Sequence, residues 1–266
     1  MSFFVRRWPA PAALLRPRRP HRLWAVALWL GAAVALLPQH PASAADFTPD
    51  QRKAIESIIR EYLTKNPEVM LDALEAAKEK LSKEAHDKAG ANLAARRQEV
   101  FEDPASPVAG NPKGDVSLVE FFDYRCPYCK QVEPSLEALL KEDRQLRLVY
   151  KEMPVLGQAS TIAARAALAA RSQGKYDEFH RALMTAKGQM DEATVYKVAG
   201  SVGLDVERLK KDMAAPEVDK AIKANLDLAD ALDIRGTPGF VIGDEIVPGA
   251  VDLNTLKQLI AAARKK

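Results

Sequence analysis

The sequence predicts an α/β domain with a long helical insertion, preceded by a separate helical region. Three patterns lead to this fold class. An apolar run from Val116 to Phe122 is followed at once by a helical pattern, a second strand pattern occupies residues 146–151, and a hairpin pattern occupies residues 240–247. Between the second strand and the hairpin the periodicity is helical throughout. The predicted order is therefore strand–helix–strand, a block of helices, then strand–strand–helix.

The first 44 residues have the layout of a secretory signal peptide. Six arginines and no acid precede an apolar run from Leu23 to Leu37, and residues 42–44 (Ala-Ser-Ala) suit signal peptidase. The run is short for a membrane span, which needs roughly 20 residues. A retained signal anchor is the alternative. We therefore expect cleavage after Ala44 and a periplasmic protein.

Loss of residues 1–44 changes the charge of the chain. Removing six arginines takes 39 Lys and Arg to 33, against 36 Asp and Glu, so a net charge of +3 becomes −3. The basic balance therefore belongs to the export signal, and no nucleic-acid partner is expected. The roughly 222 remaining residues suffice for one core with an appendage. An exported chain can also keep disulfides.

Two helical patterns follow the predicted cleavage site. Residues 48–51 (Thr-Pro-Asp-Gln) combine an N-cap, a proline at the first helical position and a capping box. Residues 66–67 (Asn-Pro) repeat the cap and proline before a segment that reaches about residue 102. Each segment has a stripe of apolar residues on an otherwise charged surface. This stripe must pack either on the next domain or on copies of itself. We favour self-association of a stalk at residues 45–103 over a charged spacer.

Residues 104–114 contain three prolines and two glycines, which predict a linker without regular structure. The domain that follows covers residues 115–266. Its helical insertion is expected at about residues 157–234. Asp252 begins a final helix.

The two cysteines of the sequence, Cys126 and Cys129, lie where the first strand of this domain meets its helix. Free N–H groups and a partial positive charge at a helix N-terminus favour thiolate over thiol. In an oxidising compartment a Cys-x-x-Cys pair indicates redox chemistry. We therefore predict thiol–disulfide exchange, with Cys126 as the nucleophile, Cys129 as the resolving thiol and a redox-active disulfide between them.

The alternative for such a pair is half of a zinc site, which usually needs four ligands. After residue 44 the sequence offers only His86 and His180 in addition, and neither lies in a cluster of ligands. We therefore expect no resident metal and no cofactor. Metal binding across subunits, or copper capture by the reduced cysteines, stays open.

The stretch 119–130, the helical block and residues 236–238 (Gly-Thr-Pro) together resemble the DsbA-like branch of the thioredoxin superfamily. Residues 47–51 and 66–68 also resemble the N-terminal stalk of ScsC-like bacterial proteins. The resemblance covers essentially the whole chain after residue 44. It implies a thioredoxin-like fold with an inserted helical domain and a homo-oligomer, with a trimer favoured.

The resemblance also assigns a loop proline. Pro238 matches the proline that is cis in this superfamily, where it places the Thr237 backbone beside Cys126 to pair with a substrate strand. The alternative is an ordinary trans turn proline.

Two charged residues complete the predicted site. Glu120 matches the buried acid beneath the cysteine pair, which relays a proton to or from Cys129; the alternative is a solvent-facing strand residue. Lys151, on the adjacent strand, is expected to neutralise Glu120.

Tyr128 stands where strongly oxidising DsbA proteins have a histidine, which puts a strong-oxidant role in doubt. We therefore expect a disulfide reductase or isomerase that acts on unfolded or misbridged proteins. A dithiol oxidase is the alternative within this class, and a copper-binding protein is the alternative outside it. The resemblance implies a membrane redox partner of the DsbD or ScsB kind, or of the DsbB kind.

Overall fold

The computed structural model describes residues 47–265, so the predicted signal peptide lies outside the described residues. Within this range the strands form one mixed sheet in the order β1–β3–β2–β4–β5. Strands β2 and β3 are parallel, and the other neighbours are antiparallel. The strands are β1 (Val108–Gly110), β2 (Val116–Phe122), β3 (Leu146–Glu152), β4 (Gly239–Ile242) and β5 (Glu245–Pro248).

The helices follow the predicted order, with five of them between β3 and β4, and the predicted fold class is confirmed. They are α1 (Pro49–Lys65), α2 (Pro67–Ala95), α3 (Arg97–Phe101), α4 (Pro127–Glu142), α5 (Gln158–Ala170), α6 (Tyr176–Thr185), α7 (Glu192–Ser201), α8 (Val206–Asp212), α9 (Pro216–Ala231) and α10 (Leu253–Ala263).

Strand β2 is the centre of the sheet, and its side chains alternate between two buried faces. Leu118, Glu120 and Phe122 face a core built with α4, α10 and the helical insertion. Val119 and Phe121 face a second core built with α3 and the end of α9. Because both faces of the strand are covered, its sequence is an almost continuous run of apolar residues.

Helix α1 begins as predicted, with a reciprocal capping box. The Thr48 backbone N–H donates to Gln51 Oε1 at 2.9 Å, and the Gln51 N–H donates to Thr48 Oγ1 at 3.2 Å. No residue of α1 is buried. Among residues 47–265, no helix is long and apolar enough to cross a membrane.

The last part of the predicted stalk belongs to the domain core, which corrects its predicted end at residue 103. Leu74 and Leu81 of α2 are 67% and 65% exposed, whereas Leu93 is 2% exposed. Val100 and Phe101 of α3 are also buried, in the same core as Leu93. The apolar stripe therefore divides within α2: its C-terminal part packs on the sheet, and its N-terminal part stays uncovered.

The prediction that residues 104–114 lack regular structure is wrong for Val108–Gly110, which pair with β3 as an edge strand. Pro107 contributes its carbonyl to this pairing, accepting from the Tyr150 N–H at 2.9 Å. Gly110 has φ +76°, and a Cβ there would lie 2.5 Å from the Leu146 carbonyl oxygen. The proline and the glycine that indicate a break thus occupy positions where a strand tolerates them.

Candidate active site

Cys126 is the N-cap residue of α4, directly after the loop that leaves β2. Its backbone N–H donates to the Asp123 carbonyl at 3.0 Å, and Asp123 Oδ1 accepts from the Arg125 N–H at 2.8 Å. These bonds fix the turn that places the thiol at the start of the helix. At this position the thiol lies near the free N–H groups of the first helical turn.

The Thr237–Pro238 peptide bond is cis, as predicted for Pro238. The Cys126 thiol donates to the Thr237 carbonyl oxygen, with 3.1 Å between Sγ and O. The sheet brings these two residues together, since β4 begins immediately after Pro238 and pairs with β2. Residues 111 positions apart in sequence thus form one side of the site.

Cys129 lies on the inward face of α4 and is fully buried, whereas Cys126 is 4% exposed. Burial raises the pKa of the Cys129 thiol well above its usual range, and the charges of Glu120 and Cys126 raise it further. Cys129 therefore needs a proton acceptor before it can act as a nucleophile.

Glu120 is buried on the same side of the sheet as Cys129, so the alternative of a solvent-facing strand residue is wrong. Neither of its carboxyl oxygens has a hydrogen-bond partner among the described residues. Burial raises the pKa of Glu120 well above its usual range, and the charges of Glu133, Cys126 and Glu152 add to this effect. A carboxyl group with a raised pKa beside a buried thiol has the properties that proton exchange with that thiol requires.

The prediction that Lys151 neutralises Glu120 is wrong. In the parallel pairing Lys151 is opposite Phe121, while Glu120 is opposite Tyr150, so Lys151 and Glu120 point to opposite faces of the sheet. The Lys151 ammonium group instead donates to Asp103 Oδ2 at 3.0 Å and to the Glu99 carbonyl at 2.8 Å. Lys151 therefore fastens the segment after α3 to the sheet.

A second set of buried polar side chains lies behind the cysteines and was missed by sequence reasoning. His180 Nε2 is 3.5 Å from Glu133 Oε2, and His180 Nδ1 is 3.0 Å from the Tyr124 hydroxyl. The hydroxyls of Tyr124 and Tyr176 donate to Glu152 Oε1 at 3.0 and 2.8 Å. The sequence signal was available for Glu133, which follows Cys129 by four residues and so shares its helix face.

Burial is the largest influence on the pKa values of the tyrosines in this region and of Glu152. It raises the pKa values of Tyr124, Tyr150 and Tyr176 well above the usual range, and nearby carboxylates raise them further. It also raises the pKa of Glu152, although two tyrosine hydroxyls oppose this by donating to its carboxylate. Charge changes in this region are therefore costly.

The rim of the site has exposed apolar side chains. Tyr128 is 60% exposed, and Val155 and Leu156, in the loop after β3, are 45% and 42% exposed. Asp123 Oδ2 accepts from the N–H groups of these two loop residues at 2.9 and 3.0 Å. The Arg125 guanidinium also donates to the Leu156 carbonyl. The loop is thus held beside the turn that carries Cys126.

No group of three or more His, Cys, Asp or Glu residues is arranged to hold a metal ion within residues 47–265. Cys126 and Cys129 together offer two sulfur ligands, half of what a structural zinc site needs.

Two family models match the chain. Residues 117–261 match the model described as a DSBA-like thioredoxin domain. Residues 51–82, in α1 and α2, match the model of the copper resistance protein ScsC N-terminal domain.

Solved structures agree with these matches. A thioredoxin-like oxidoreductase from Silicibacter pomeroyi DSS-3 is 50% identical, with a TM-score of 0.63, and the match covers 64% of this chain and 98% of that one. Proteus mirabilis ScsC in a transitional conformation is 31% identical, with a TM-score of 0.61, and the match covers 84% and 99%.

A curated relative that bears the name of an antiporter also matches. The Na(+)/H(+) antiporter NhaA 1 of Salinispora arenicola is 30% identical over 158 residues, which cover 59% of this chain and 24% of the antiporter. The chain thus spans about a quarter of the length of the antiporters it matches.

Proposed function

The chain belongs to the family of DSBA-like thioredoxin domains, and we propose that it is an exported thiol–disulfide oxidoreductase that reduces or isomerises disulfides in protein substrates. One observation carries this proposal. The Cys126 thiol, at a helix N-terminus, lies against the Thr237 carbonyl, with a buried thiol and a buried acid behind it. These are the parts that nucleophilic attack, resolution and proton transfer require.

The reaction begins when the Cys126 thiolate attacks a substrate disulfide. A bond forms between Cys126 Sγ and one substrate sulfur, and the other substrate sulfur leaves as a thiolate. A second substrate thiolate then displaces Cys126, which isomerises the substrate. Alternatively Cys129 gives its proton to Glu120 and displaces the substrate as a thiolate, which reduces the substrate and leaves a Cys126–Cys129 disulfide.

The setting of the site supports protein substrates. The apolar rim formed by Tyr128, Val155 and Leu156 suits unfolded or misbridged chains, whose apolar side chains are accessible. The Thr237–Pro238 loop offers a backbone edge for an extended substrate segment. Reduction of a substrate leaves a Cys126–Cys129 disulfide in the protein. For its return to the dithiol form we propose a membrane reductase of the DsbD or ScsB kind.

The test uses the two cysteines. Replacing Cys126 with Ser should abolish refolding of a scrambled disulfide substrate. Replacing Cys129 with Ser should instead trap the mixed disulfide with substrate, because the resolving thiol is gone. Mass spectrometry after acid quench detects the trapped species. Full activity of the Cys126→Ser variant would refute the proposal.

The direction of the reaction has a separate test. An isomerase or reductase must hold Cys126 as a thiol in the cell, whereas a dithiol oxidase with a DsbB-like partner must hold the disulfide. Acid quench of cells followed by alkylation of free thiols distinguishes the two. A fully oxidised resting pair would contradict the isomerase and assign the oxidase role.

Copper binding is a second candidate function, favoured by the match of residues 51–82 to a domain of a copper resistance protein. Two adjacent thiols suit Cu(I), which prefers soft sulfur ligands. This function predicts tight Cu(I) binding by the reduced cysteine pair together with little activity on scrambled substrates. Cu(I) titration of the reduced protein and of the Cys126→Ser variant measures it.

A further inference from the structure

The loop between β3 and α5, residues 153–157, carries exposed apolar side chains beside the active site. Among the described residues after Leu81, the exposed large apolar side chains are those of Tyr128, Val155 and Leu156. Tyr128 lies between the two cysteines, and Val155 and Leu156 are neighbours in the loop. In this part of the chain, such side chains therefore lie on the segment that carries Cys126 or on the loop bonded to it. Clustering of this kind is typical of a surface that binds another molecule.

The sheet places this loop and the Thr237–Pro238 loop on either side of the turn that carries Cys126. Strand β2, which leads into that turn, lies between β3 and β4. Strand β3 is parallel to β2 and ends at Glu152, whereas β4 is antiparallel to β2 and begins directly after Pro238. The ends of β2 and β3 and the start of β4 therefore meet at one edge of the sheet. An extended segment that pairs with Thr237 and continues across Cys126 approaches the loop.

Asp123 joins the loop to the turn of the reacting cysteine. Its buried carboxyl group accepts from backbone N–H groups on both: Arg125 donates to Oδ1 at 2.8 Å, and Val155 and Leu156 donate to Oδ2 at 2.9 and 3.0 Å. The Asp123 carbonyl also accepts from the Cys126 N–H at 3.0 Å. One residue thus sets the position of the loop relative to the reacting thiol.

Both ends of the loop are fixed as well. Where the loop leaves β3, the Met153 N–H donates to the Phe122 carbonyl at 2.9 Å. At the other end Gly157, with φ +97°, is the N-cap residue of α5, and its carbonyl accepts from the Ser160 N–H at 3.0 Å. A loop that is held at its start, its centre and its end loses little conformational entropy when a ligand binds. Its exposed side chains therefore form a preorganised surface.

We propose that Asp123 is a positioning residue that holds Val155 and Leu156 as an apolar wall beside Cys126, and that this wall selects substrate segments with a large apolar side chain within two residues of the attacked cysteine. This inference rests on the proposed function. An extended segment rises about 3.3 Å per residue, so a side chain one or two positions from the cysteine stays near the reacting sulfur.

The selection has a physical reason. Contact with the wall removes apolar surface of both partners from water, which strengthens binding. Large apolar side chains are mostly buried in folded proteins and become accessible when a chain is unfolded or misbridged. The wall therefore favours disulfides in such chains over disulfides in correctly folded proteins, whereas the exchange step at Cys126 is the same for both.

The test compares two peptide disulfides. Each is a symmetric dimer of a peptide with one cysteine, and the two differ only in having Leu or Ser at the two positions on either side of that cysteine. Reduced protein (residues 45–266) is mixed with excess peptide and quenched with acid at successive times. Alkylation and mass spectrometry then measure loss of the free Cys126 thiol, whichever disulfide follows. The wild type should react about tenfold or more faster with the Leu peptide than with the Ser peptide.

Variants of Asp123 and of the wall should reduce this Leu-to-Ser ratio. Asp123→Ala removes the acceptor of the loop and should lower the ratio to about threefold or less. Asp123→Asn keeps one oxygen for the two loop N–H groups and should give an intermediate ratio. Replacing Val155 and Leu156 together with Ser should lower the ratio as far as Asp123→Ala does. A general change in the reactivity of Cys126 cancels in the ratio, because it affects both peptides equally.

Asp191→Ala is the matched control. Asp191 also accepts from a backbone N–H, that of Thr194 at 2.8 Å, but it does so as the N-cap residue of α7. Loss of this cap should lower the stability of the protein and leave the Leu-to-Ser ratio at the wild-type value. A ratio that falls equally in Asp191→Ala and Asp123→Ala would show that general loss of stability, and not the position of the loop, explains the effect.

Amide hydrogen exchange tests the positioning role without a substrate. Exchange at the Val155 and Leu156 N–H groups should accelerate by about tenfold or more in Asp123→Ala, because their common acceptor is gone. Exchange at the same two groups should be unchanged in Asp191→Ala.

The outcomes separate this inference from the proposed function. A wild type that reacts equally fast with both peptides overturns the inference and leaves the proposed function in place. An unchanged ratio in folded Asp123→Ala, or in the variant with Ser at Val155 and Leu156, also overturns it. If Asp123→Ala fails to fold, Asp123→Asn and the Ser variant decide. A wild type that reacts with neither peptide nor with hydroxyethyl disulfide, which has no side chains, contradicts the proposed function and this inference together.

Discussion

Glu120 is a carboxyl group whose position in the core costs stability. Burial raises its pKa well above the usual range, so the folded state holds its proton to higher pH than the unfolded state. Between the unfolded pKa of about 4.3 and the higher folded value, the native state binds more protons, and stability falls as pH rises. A protein retains such a residue when its chemistry is needed.

Replacing Glu120 with Gln should therefore stabilise the reduced protein, and the gain should grow as pH rises from 4 to 8. The amide has no ionised form whose burial must be compensated. Urea denaturation at pH 4 and at pH 8 measures the difference. The partly exposed Glu137→Gln variant is the control and should show no such growth. A gain that does not vary with pH would show that packing, and not ionisation, explains it.

Lys151 pairs with the carboxylate of Asp103, which the sequence did not predict. Burial raises the pKa of Asp103, but the Ala105 N–H, the charge of Lys151 and the Ser106 hydroxyl lower it, and the result lies below the usual value. Stabilisation by this carboxylate is therefore present above its unfolded pKa and is lost as pH falls through the lower folded pKa.

Replacing Asp103 with Asn should destabilise the fold by about 3 kcal/mol, because the Lys151 ammonium, 1% exposed, would lose its counter-charge. The double variant Asp103→Asn with Lys151→Met should recover much of this loss, since it removes the buried charge. Asp219→Asn, at an exposed ion pair with Arg165, is the control and should cost less than about 1 kcal/mol. Denaturant unfolding at pH 7 measures the free energy of unfolding of all three variants. An equal loss of stability in Asp103→Asn and Asp219→Asn would contradict the role of Asp103 as the counter-charge of Lys151.

Helices α4 and α6 contribute side chains to the region of the cysteines, whereas α2 does not. Helix α4 positions the cysteines and Glu133 on one inward face, and α6 contributes His180 and Tyr176 from the helical insertion. Through His180 the insertion contacts α4, which begins at Cys126, and the loop between β2 and α4. Helix α2 has the opposite character, because most of its apolar side chains remain exposed before Ala89.

For the whole chain, the uncovered apolar side chains of α1 and α2 support the proposal of self-association. Ile58, Leu71, Leu74 and Leu81 are each at least 65% exposed. Exposed large apolar residues in such number are unusual for a monomer and typical of an interface. An oligomer, with a trimer favoured, would present several Cys126 sites to one substrate, which suits isomerisation.

Replacing Leu74 with Glu should reduce the solution mass of residues 45–266 to that of a monomer, because a charge would enter the proposed interface. Sedimentation equilibrium measures the mass, and circular dichroism checks the fold. Lys80→Glu lies on another side of α2 and should leave the mass unchanged. If the wild-type protein is already a monomer, the proposal of self-association is wrong.

The local features of this chain could be read from its residues. The capping box at α1, the strand before Cys126, the helix after it and the cis Pro238 all follow from short-range patterns or from a resemblance that short motifs carry. The capping box depends only on residues three positions apart, the strand and helix are indicated by periodicity, and Pro238 is assigned from a short motif of the resembled family.

The features that depend on register and burial required the folded chain. Lys151 and Glu120 lie on adjacent strands, and a register shift of one residue would have brought their side chains to the same face. His180 and Glu133 are 47 positions apart in sequence, and the packing of α6 on α4 makes them partners. Packing likewise separates the buried Leu93 from the exposed Leu74 within one helical stripe. Sequence patterns identify the two thiols, whereas long-range packing decides which titratable groups surround them, and burial sets the energy of each charge.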